Sequence, residues 1–296
     1  PMNLSLSRSF PIAKAALAAA VIACTFALAC SLTGCASGGT DSSSADADNT
    51  SASTDGKTLR VAMELAYPPF ETKDDAGNPE GLAVDFIRDF GAAYGYDVQI
   101  ENTAWDGLIP SLQSDKADLV ISSMTITDER KQSVDFSDAY AMAQLAILAN
   151  ANSGVASIDD LNQPGKKVAV KTGSTGDVYA TKNLTNAEIV RLADESACVT
   201  EVVQGKADGF LYDQLTIYRN HQANPDTTEA VFIPFQDAEE WGIAVKKGNT
   251  ELLDQLNAFI AQSKTDGEFD RLTEKYLADE KKAFDQYGFK WFFDFE

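Results

Sequence analysis

Between Leu59 and Leu277 the chain alternates between two hydrophobic periods, and that alternation limits the folds open to it. "LRVAM" (59–63), "YDVQI" (96–100) and "ADLVI" (117–121) read as strands. Between them Phe86, Ile87, Phe90 and Tyr94 fall at helical spacing, with Gly95 as a natural stop, and "DGLIPSLQS" (106–114) reads as a short helix. "DDAGNPEG" (74–81) is turn chemistry. The pattern resumes with the strand "KKVAV" (166–170), a glycine-rich turn "KTGSTGD" and a helix ending near Leu184. "AEIVRL" (187–192), a helix over 196–204 and the strand "ADGFLY" (207–212) follow. "WGIAV" (241–245) is a later strand, and helices are expected over 250–262 and 269–277. This βαβα order predicts an α/β fold built on open, mainly parallel sheets.

At 296 residues the length fits about two domains, and the hydrophobic share of 44% is that of a globular protein. One weak internal echo points to two similar halves. "LQSDKADLVISS" (112–123) resembles "VQGKADGFLYD" (203–213), each reading as helix end, tight turn and buried strand. The first strand runs into Ser122 and Ser123, the second into Asp213. Ligands of open α/β sheets sit beyond the carboxyl ends of strands, so two such ends can face each other across a cleft. A chance likeness between two common helix–turn–strand units is the plainer alternative.

The N-terminal segment is of another kind. Arg8 and Lys14 are its only charges, and "AALAAAVIACTFALACSL" (15–32) is apolar or small, as in a secretory leader. It ends in "LTGC", which looks like a bacterial lipobox with Cys35 as the lipid-bearing residue. The expectation is a leader over 1–34, and a lipid-anchored Ser/Thr/Gly/Asp/Ala-rich tether over 35–56 that can bury nothing. An uncleaved membrane helix is the alternative.

The formal net charge of −21 argues against nucleic acid, which needs a basic face, and fits an exported domain. Cys24, Cys30 and Cys35 fall in the leader and at the anchor, so only Cys198 is left for the folded part. That rules out an internal disulfide or a cysteine metal cluster there. The single histidine, His221, sits in a polar stretch where nothing suggests a catalytic triad. No cofactor and no metal are called for.

"SSMTITDERK" (122–131) crowds Ser122, Ser123, Thr125 and Thr127 ahead of Arg130. It reads either as a loop into a capped helix or as half of a carboxylate site. Longer stretches bear on the choice. "LRVAMELAYPPFE", "GLAVDFIRDFGAAYGYDVQIE", "WDGLIPSLQSDKADLVISSMTITDERKQSVDFSDAY", "GKKVAVKTGST", "GIAVKKGNTELL" and "DGEFDRLTEKYL" resemble, in order, the family 3 extracellular solute-binding proteins, amino-acid receptor subunits of ABC importers. The resemblance covers about residues 57–280.

The resemblance implies a two-lobed periplasmic-binding-protein fold of type II. Lobe one is expected over 57–143 and 245–280 and lobe two over 144–244. Crossovers are expected near Gln144–Asn150 and Trp241–Lys246, closing by a hinge on ligand. It also implies site roles. Arg130 would take a ligand carboxylate with a bidentate fork, Thr127 would cap its helix, and N–H groups around Ser123 and Thr125 would add donors. Ser174 and Thr175, at a helix N-terminus, would complete that pocket. Asp213, with Ser123, would take the ammonium; Asp213 can also serve as a helix cap.

For the ligand side chain the resemblance points to Tyr67 and Trp105 as a sandwich, with Ser122, Glu64 and Lys171 around the head group. Core packing is the plainer role for the two aromatics. An acid at Glu64 favours a cationic ligand such as arginine or lysine, whereas a Glu64–Lys171 pair would suit a neutral polar one of glutamine or cystine type. Gly176 replaces a larger residue and would widen the pocket. The aromatic extension "KKAFDQYGFKWFFDFE" (281–296) reads as a strap on lobe one, or as a membrane or partner contact.

The functional expectation is a monomeric, non-catalytic receptor on the outer face of a bacterial cytoplasmic membrane, facing the periplasm in a two-membrane cell, handing a polar or basic L-amino acid to an ABC permease and its ATPase. A dehydratase for arogenate- or prephenate-like acids, with Glu64 as acid, and a ligand domain for a partner sensor are the alternatives.

Overall fold

The computed structural model describes residues 56–287 and 290–295. The expected leader, Cys35 and the tether up to residue 55 lie outside them. No helix among the described residues is long and apolar enough to cross a membrane.

The first part of the chain forms β1 (Lys57–Met63), the hairpin β2 (Thr72–Lys73) and β3 (Pro79–Glu80), α1 (Leu82–Tyr94) and β4 (Tyr96–Asn102). It continues through α2 (Leu108–Gln113), β5 (Leu119–Val120), β6 (Val134–Phe136), β7 (Ala141–Ala143) and β8 (Leu145–Asn150). The middle holds α3 (Ile158–Leu161), β9 (Lys167–Lys171), α4 (Thr175–Asn183), β10 (Glu188–Leu192), α5 (Glu195–Val203), β11 (Gly209–Asp213), α6 (Gln214–Ala223) and β12 (Thr228–Val231). The last part is β13 (Glu239–Trp241), β14 (Ala244–Lys246), α7 (Thr250–Ser263), α8 (Glu268–Tyr276) and α9 (Ala278–Tyr287).

These elements build two five-stranded sheets of the same plan. One has the order β4-β1-β5-β14-β6 and the other β10-β9-β11-β8-β12. In each, the first three strands are parallel and the last two join antiparallel. The strands of the internal echo, β5 and β11, hold the same central position in their sheets, which is why both end at the cleft. Both faces of the first sheet are covered, as parallel strands require. Leu59, Val61 and Met63 of β1 join the larger core on one face, and Ala62 packs with Leu108, Leu112 and Val120 on the other. Gly95 closes α1 in the left-handed region, at φ 74°.

The two connections between sheets differ from expectation. β7 and β13 pair with each other as a separate two-stranded ribbon, while β8 belongs wholly to the second sheet and β14 to the first. The crossings are therefore Ala141–Ala143 and Glu239–Trp241 rather than 144–150 and 241–246. The expected strand "WGIAV" is broken at Gly242, where a Cβ would lie 2.8 Å from Ile126 Cδ1. Hydrophobic alternation cannot register such a break, because residues on both sides of it are buried.

The C-terminal extension packs on lobe one and on the ribbon. Phe284, Trp291 and Phe292 are buried. Phe292 lies 5.1 Å from the Phe70 ring and 5.4 Å from Trp241, its carbonyl accepts from the Met142 N–H of β7 at 2.7 Å, and Phe293 stacks on Phe269. Arg219 of α6 reaches Glu280 at 3.8 Å, so the start of α9, which leads into the strap, also touches the second lobe. Burying each large side chain contributes about 1.5–3 kcal/mol. Removing residues 278–296 should therefore lower the unfolding temperature markedly in a thermal melt, and an unchanged melt would show the strap to be energetically idle.

Candidate functional site

The carboxyl ends of the two sheets meet at a small cavity. Glu64, Tyr67, Trp105, Ser122 and Ser123 line it from the first lobe, together with Thr125 and Arg130. Ser174, Thr175 and Asp213 line it from the second. Lys171, at the end of β9, reaches in from that lobe to pair with Glu64. The residues singled out in the sequence thus converge on one place, although they come from distant parts of the chain. Glu71, Tyr212, Glu239 and Trp241 also line the cavity, and sequence reasoning assigned none of them a role.

Arg130 is held by its own loop. It opens a short 3-10 turn, Arg130–Gln132, rather than the expected helix, and the Thr127 hydroxyl accepts the Arg130 N–H at 3.2 Å. Its guanidinium donates to Thr125 O at 2.7 Å and to Gly173 O, in the opposite lobe, at 3.1 Å. Trp105 lies beneath, with the guanidinium carbon 5.2 Å from the ring centroid and the Lys171 ammonium at the same distance. Burial lowers the Arg130 pKa, and nearby Glu239 works against that shift.

The expected main-chain donors are used differently. The Ser123 N–H donates to the Tyr140 hydroxyl at 3.2 Å, so it is not available as a carboxylate donor. Ser123 takes φ 47°, a strained conformation for a residue with a Cβ. Thr125 faces Trp241 in a bridge flanked by the Ile126→Glu240 and Gly242→Met124 bonds, which turns its own N–H and C=O away from β13. Ser122 is buried and accepts the Glu64 N–H at 3.0 Å.

In the second lobe, Ser174 caps α4 by accepting the Asp177 N–H at 3.2 Å. Asp213 caps α6, with Oδ1 accepting from Leu215 N at 2.9 Å and Thr216 N at 3.1 Å. Burial raises the Asp213 pKa, and the Thr216 N–H holds it back. Gly176 does not widen the cavity. A Cβ there would lie 2.4 Å from Leu211 O, so the glycine lets α4 approach β11.

Two acids tie the lobes together. Glu64 and Lys171 form a direct ion pair, their side chains only 12% and 4% exposed. Glu239, on the ribbon, accepts from the Thr125 hydroxyl at 2.9 Å and from the Thr175 hydroxyl at 2.8 Å through the same oxygen. One carboxylate therefore links a first-lobe and a second-lobe threonine. The sequence offered little signal for Glu239, since an acid before a strand is usually solvated. Glu71 stood in the quoted "YPPFE", but nothing in the spacing marks it as buried.

Tyr67 packs against Phe70 and Trp241 as well as facing the cavity, so its core and site roles coexist. Cys198 is buried, and burial pushes its thiol up to about 12. His221 contacts the Thr228 hydroxyl at 3.2 Å, away from the cleft. Among the described residues no group of His, Cys, Asp and Glu could hold a metal.

The model of the bacterial extracellular solute-binding proteins, family 3, matches residues 59–279. The chain belongs to that family. Among family 3 relatives, a probable histidine-binding protein of Neisseria gonorrhoeae is 35% identical, the match covering 86% of this chain and 94% of that protein. The L-cystine-binding protein TcyJ of Escherichia coli K12 is 32% identical over 74% of this chain and 82% of its own length. The crystal structure of the ancestral amino acid-binding protein AncCDT-1, a precursor of cyclohexadienyl dehydratase, superposes with a TM-score of 0.68 at 38% identity. It covers 74% of this chain and 94% of its own. The family fold is two-lobed, as the paired sheets show. The extension beyond residue 279 lies outside the matched family region.

Glu195, at the first turn of α5, gives the cleft region a measurable pH signature. Burial raises its pKa from 4.5 to about 8, with Asp213 adding to the rise. Below about pH 4.5 both folded and unfolded states hold the proton and the group costs nothing. Between about 4.5 and 8 the unfolded chain ionises first, so stability falls as pH rises through that window, by an order of a few kcal/mol in all. Thermal unfolding of the ligand-free protein from pH 5 to 8 should show that decline, and Glu195→Gln should make it shallower, the raised Asp213 and Glu71 carboxyls supplying the remainder. Parallel slopes would exclude Glu195 as the titrating group.

Proposed function

We propose that this family 3 protein is the extracytoplasmic receptor of an ABC importer, capturing a polar or basic L-amino acid by hinge closure and delivering it to a membrane permease and its ATPase. The observation that carries the reading is the placement of a half-buried cation and a buried acid on opposite lobes of the cavity, Arg130 from lobe one and Asp213 from lobe two. An L-amino acid carries the two complementary charges on one carbon. Its carboxylate would meet the Arg130 guanidinium with the Thr125 and Thr175 hydroxyls nearby, and Ser174 at the start of α4. Its ammonium would meet the free oxygen of Asp213 and the Ser123 hydroxyl. Pairing charges in this way offsets the cost of closing water out of the cleft.

The side chain would lie between Tyr67 and Trp105, towards Ser122 and the Glu64–Lys171 pair. Relatives named as histidine- and cystine-binding proteins support an amino-acid ligand and a non-catalytic role. The lipid anchor on Cys35, the tether, the lobe boundaries and a monomeric state complete the proposal; they rest on the sequence. A dehydratase reading would need Glu64 as a free acid, and its direct pairing with Lys171 weighs against that.

Thermal melts with each L-amino acid added separately test the reading. A ligand in thousandfold excess over Kd should raise stability by about 4 kcal/mol. Arg130→Ala should keep the fold and lose that shift entirely. A variant that still binds would sink the carboxylate assignment, and no shift with any amino acid would sink the function.

A further inference from the structure

The last segment of the chain lies beyond the matched family region, yet it is built into the hinge. α9 and residues 290–295 after it reach three parts of the molecule. On the first lobe, the Trp291 indole N–H donates to the Thr273 hydroxyl at 3.2 Å, and Phe293 stacks on Phe269 at 4.6 Å. On the ribbon, the Phe292 carbonyl accepts the Met142 N–H of β7, and the Phe292 ring lies against Trp241 of β13. On the second lobe, Phe284 meets Tyr218 of α6 edge-on at 5.9 Å, and Glu280 lies 3.8 Å from Arg219. The two crossings of the ribbon join the lobes covalently. This segment joins them a third time, by packing.

It does so behind the hinge, on the face away from the ligand cavity. Successive residues of an extended chain point to opposite sides, and the linings follow that rule. Leu145 lines the ligand cavity, whereas its neighbours Gln144 and Ala146 line a second cavity of about 290 Å³. The second lobe also contributes Phe232 and Ala238 to this rear cavity, and the strap contributes Trp291. A rotation about the ribbon that widens the cleft in front narrows the space behind. Packed interiors hardly compress, so the rotation ends where second-lobe side chains meet the strap. Trp291 has little room to retreat, being buried and held by Thr273. Because α9 already touches α6, the free travel is the width of the rear cavity.

We infer that the C-terminal strap is a backstop for the hinge: seated behind the ribbon, with Trp291 across the rear cavity from the second lobe, it limits how far the ligand cleft opens. The inference takes hinge motion of the two lobes as given and does not depend on which ligand the cleft binds. Its consequence for the cleft is pre-organisation. Arg130 on one lobe and Asp213 on the other stay within a short swing of each other. Closure then has fewer open arrangements to give up, which lowers the entropic cost of binding.

Double electron–electron resonance reads the opening directly. Spin labels go on Asp128→Cys, two residues before Arg130, and on Val178→Cys, three residues after Thr175. Both positions are exposed, and neither lines the ligand cavity. Cys198 is buried and stays unlabelled. In the ligand-free mature protein, Trp291→Ala should shift the distance distribution to longer values by several ångströms. Ala238→Trp should shift it to shorter ones, because a cavity of about 150 Å³ already holds a benzene ring and the rear cavity is larger. That variant removes nothing from the strap or the core, so it reads the stop even where Trp291→Ala costs stability. Shifts of opposite sign are the expected result. An unchanged distance in Ala238→Trp, or in a Trp291→Ala protein that still melts cooperatively, would overturn the inference, as would shifts of one sign in both. Wild type whose distance shortens with no L-amino acid, while the variants shift as stated, would sink the receptor reading and leave the backstop standing.

Discussion

A charge withdrawn from water must be met by another, and the cleft is arranged around that requirement. Glu64 and Lys171 meet each other across it, and Glu239 meets two hydroxyls from opposite lobes. Arg130 holds two carbonyls, one from each lobe. Each contact joins the halves, so the energy of matching buried polar groups is also the energy that holds the lobes together. Breaking one partner of a buried pair leaves the other charged and dry, which typically costs about 3–5 kcal/mol. A ligand that replaces some of these contacts with better-matched ones would shift the balance of the hinge without new machinery.

The scaffold makes that economy possible. Two sheets of identical plan present the carboxyl ends of β5 and β11 to each other. Helix starts and tight turns at those ends supply short side chains with fixed directions: Ser174 and Asp213 cap α4 and α6, and Ser123 is held in a strained conformation above Tyr140. The β7–β13 ribbon links the lobes and carries Glu239 to the rim of the cavity. Behind it the C-terminal strap lays Phe292 against Trp241 and Phe70, so the aromatic cluster under the site is continuous with the strap.

Local pattern carried far where the physics is local. The alternation of periods located the three parallel strands of each sheet but not β6, β8 or β12, and the "KADLVISS"/"KADGFLYD" echo matched two strands in equivalent positions. Capping chemistry was legible at Thr127 and Asp213, because a cap bonds only to residues two or three places on. Pattern failed where a long-range contact decides. Gly176 is small because Leu211 O lies against it, Gly242 because Ile126 does, and neither neighbour is near in sequence. The break at Gly242 went unread because Trp241 and Ile243 on either side of it are both buried.

The sequence by itself determined most of the elements and an acidic character that argues against nucleic acid, while its resemblance to a known family, not its periodicity, pointed to the cleft residues. The elements and the charge follow from side-chain chemistry and short-range periodicity. Only the tertiary structure decided which charges are already answered within the protein. Lys171 pairs with Glu64, and the Ser123 N–H is taken by Tyr140. Satisfaction of a buried group depends on distances between segments remote in the chain, and no local pattern encodes those distances.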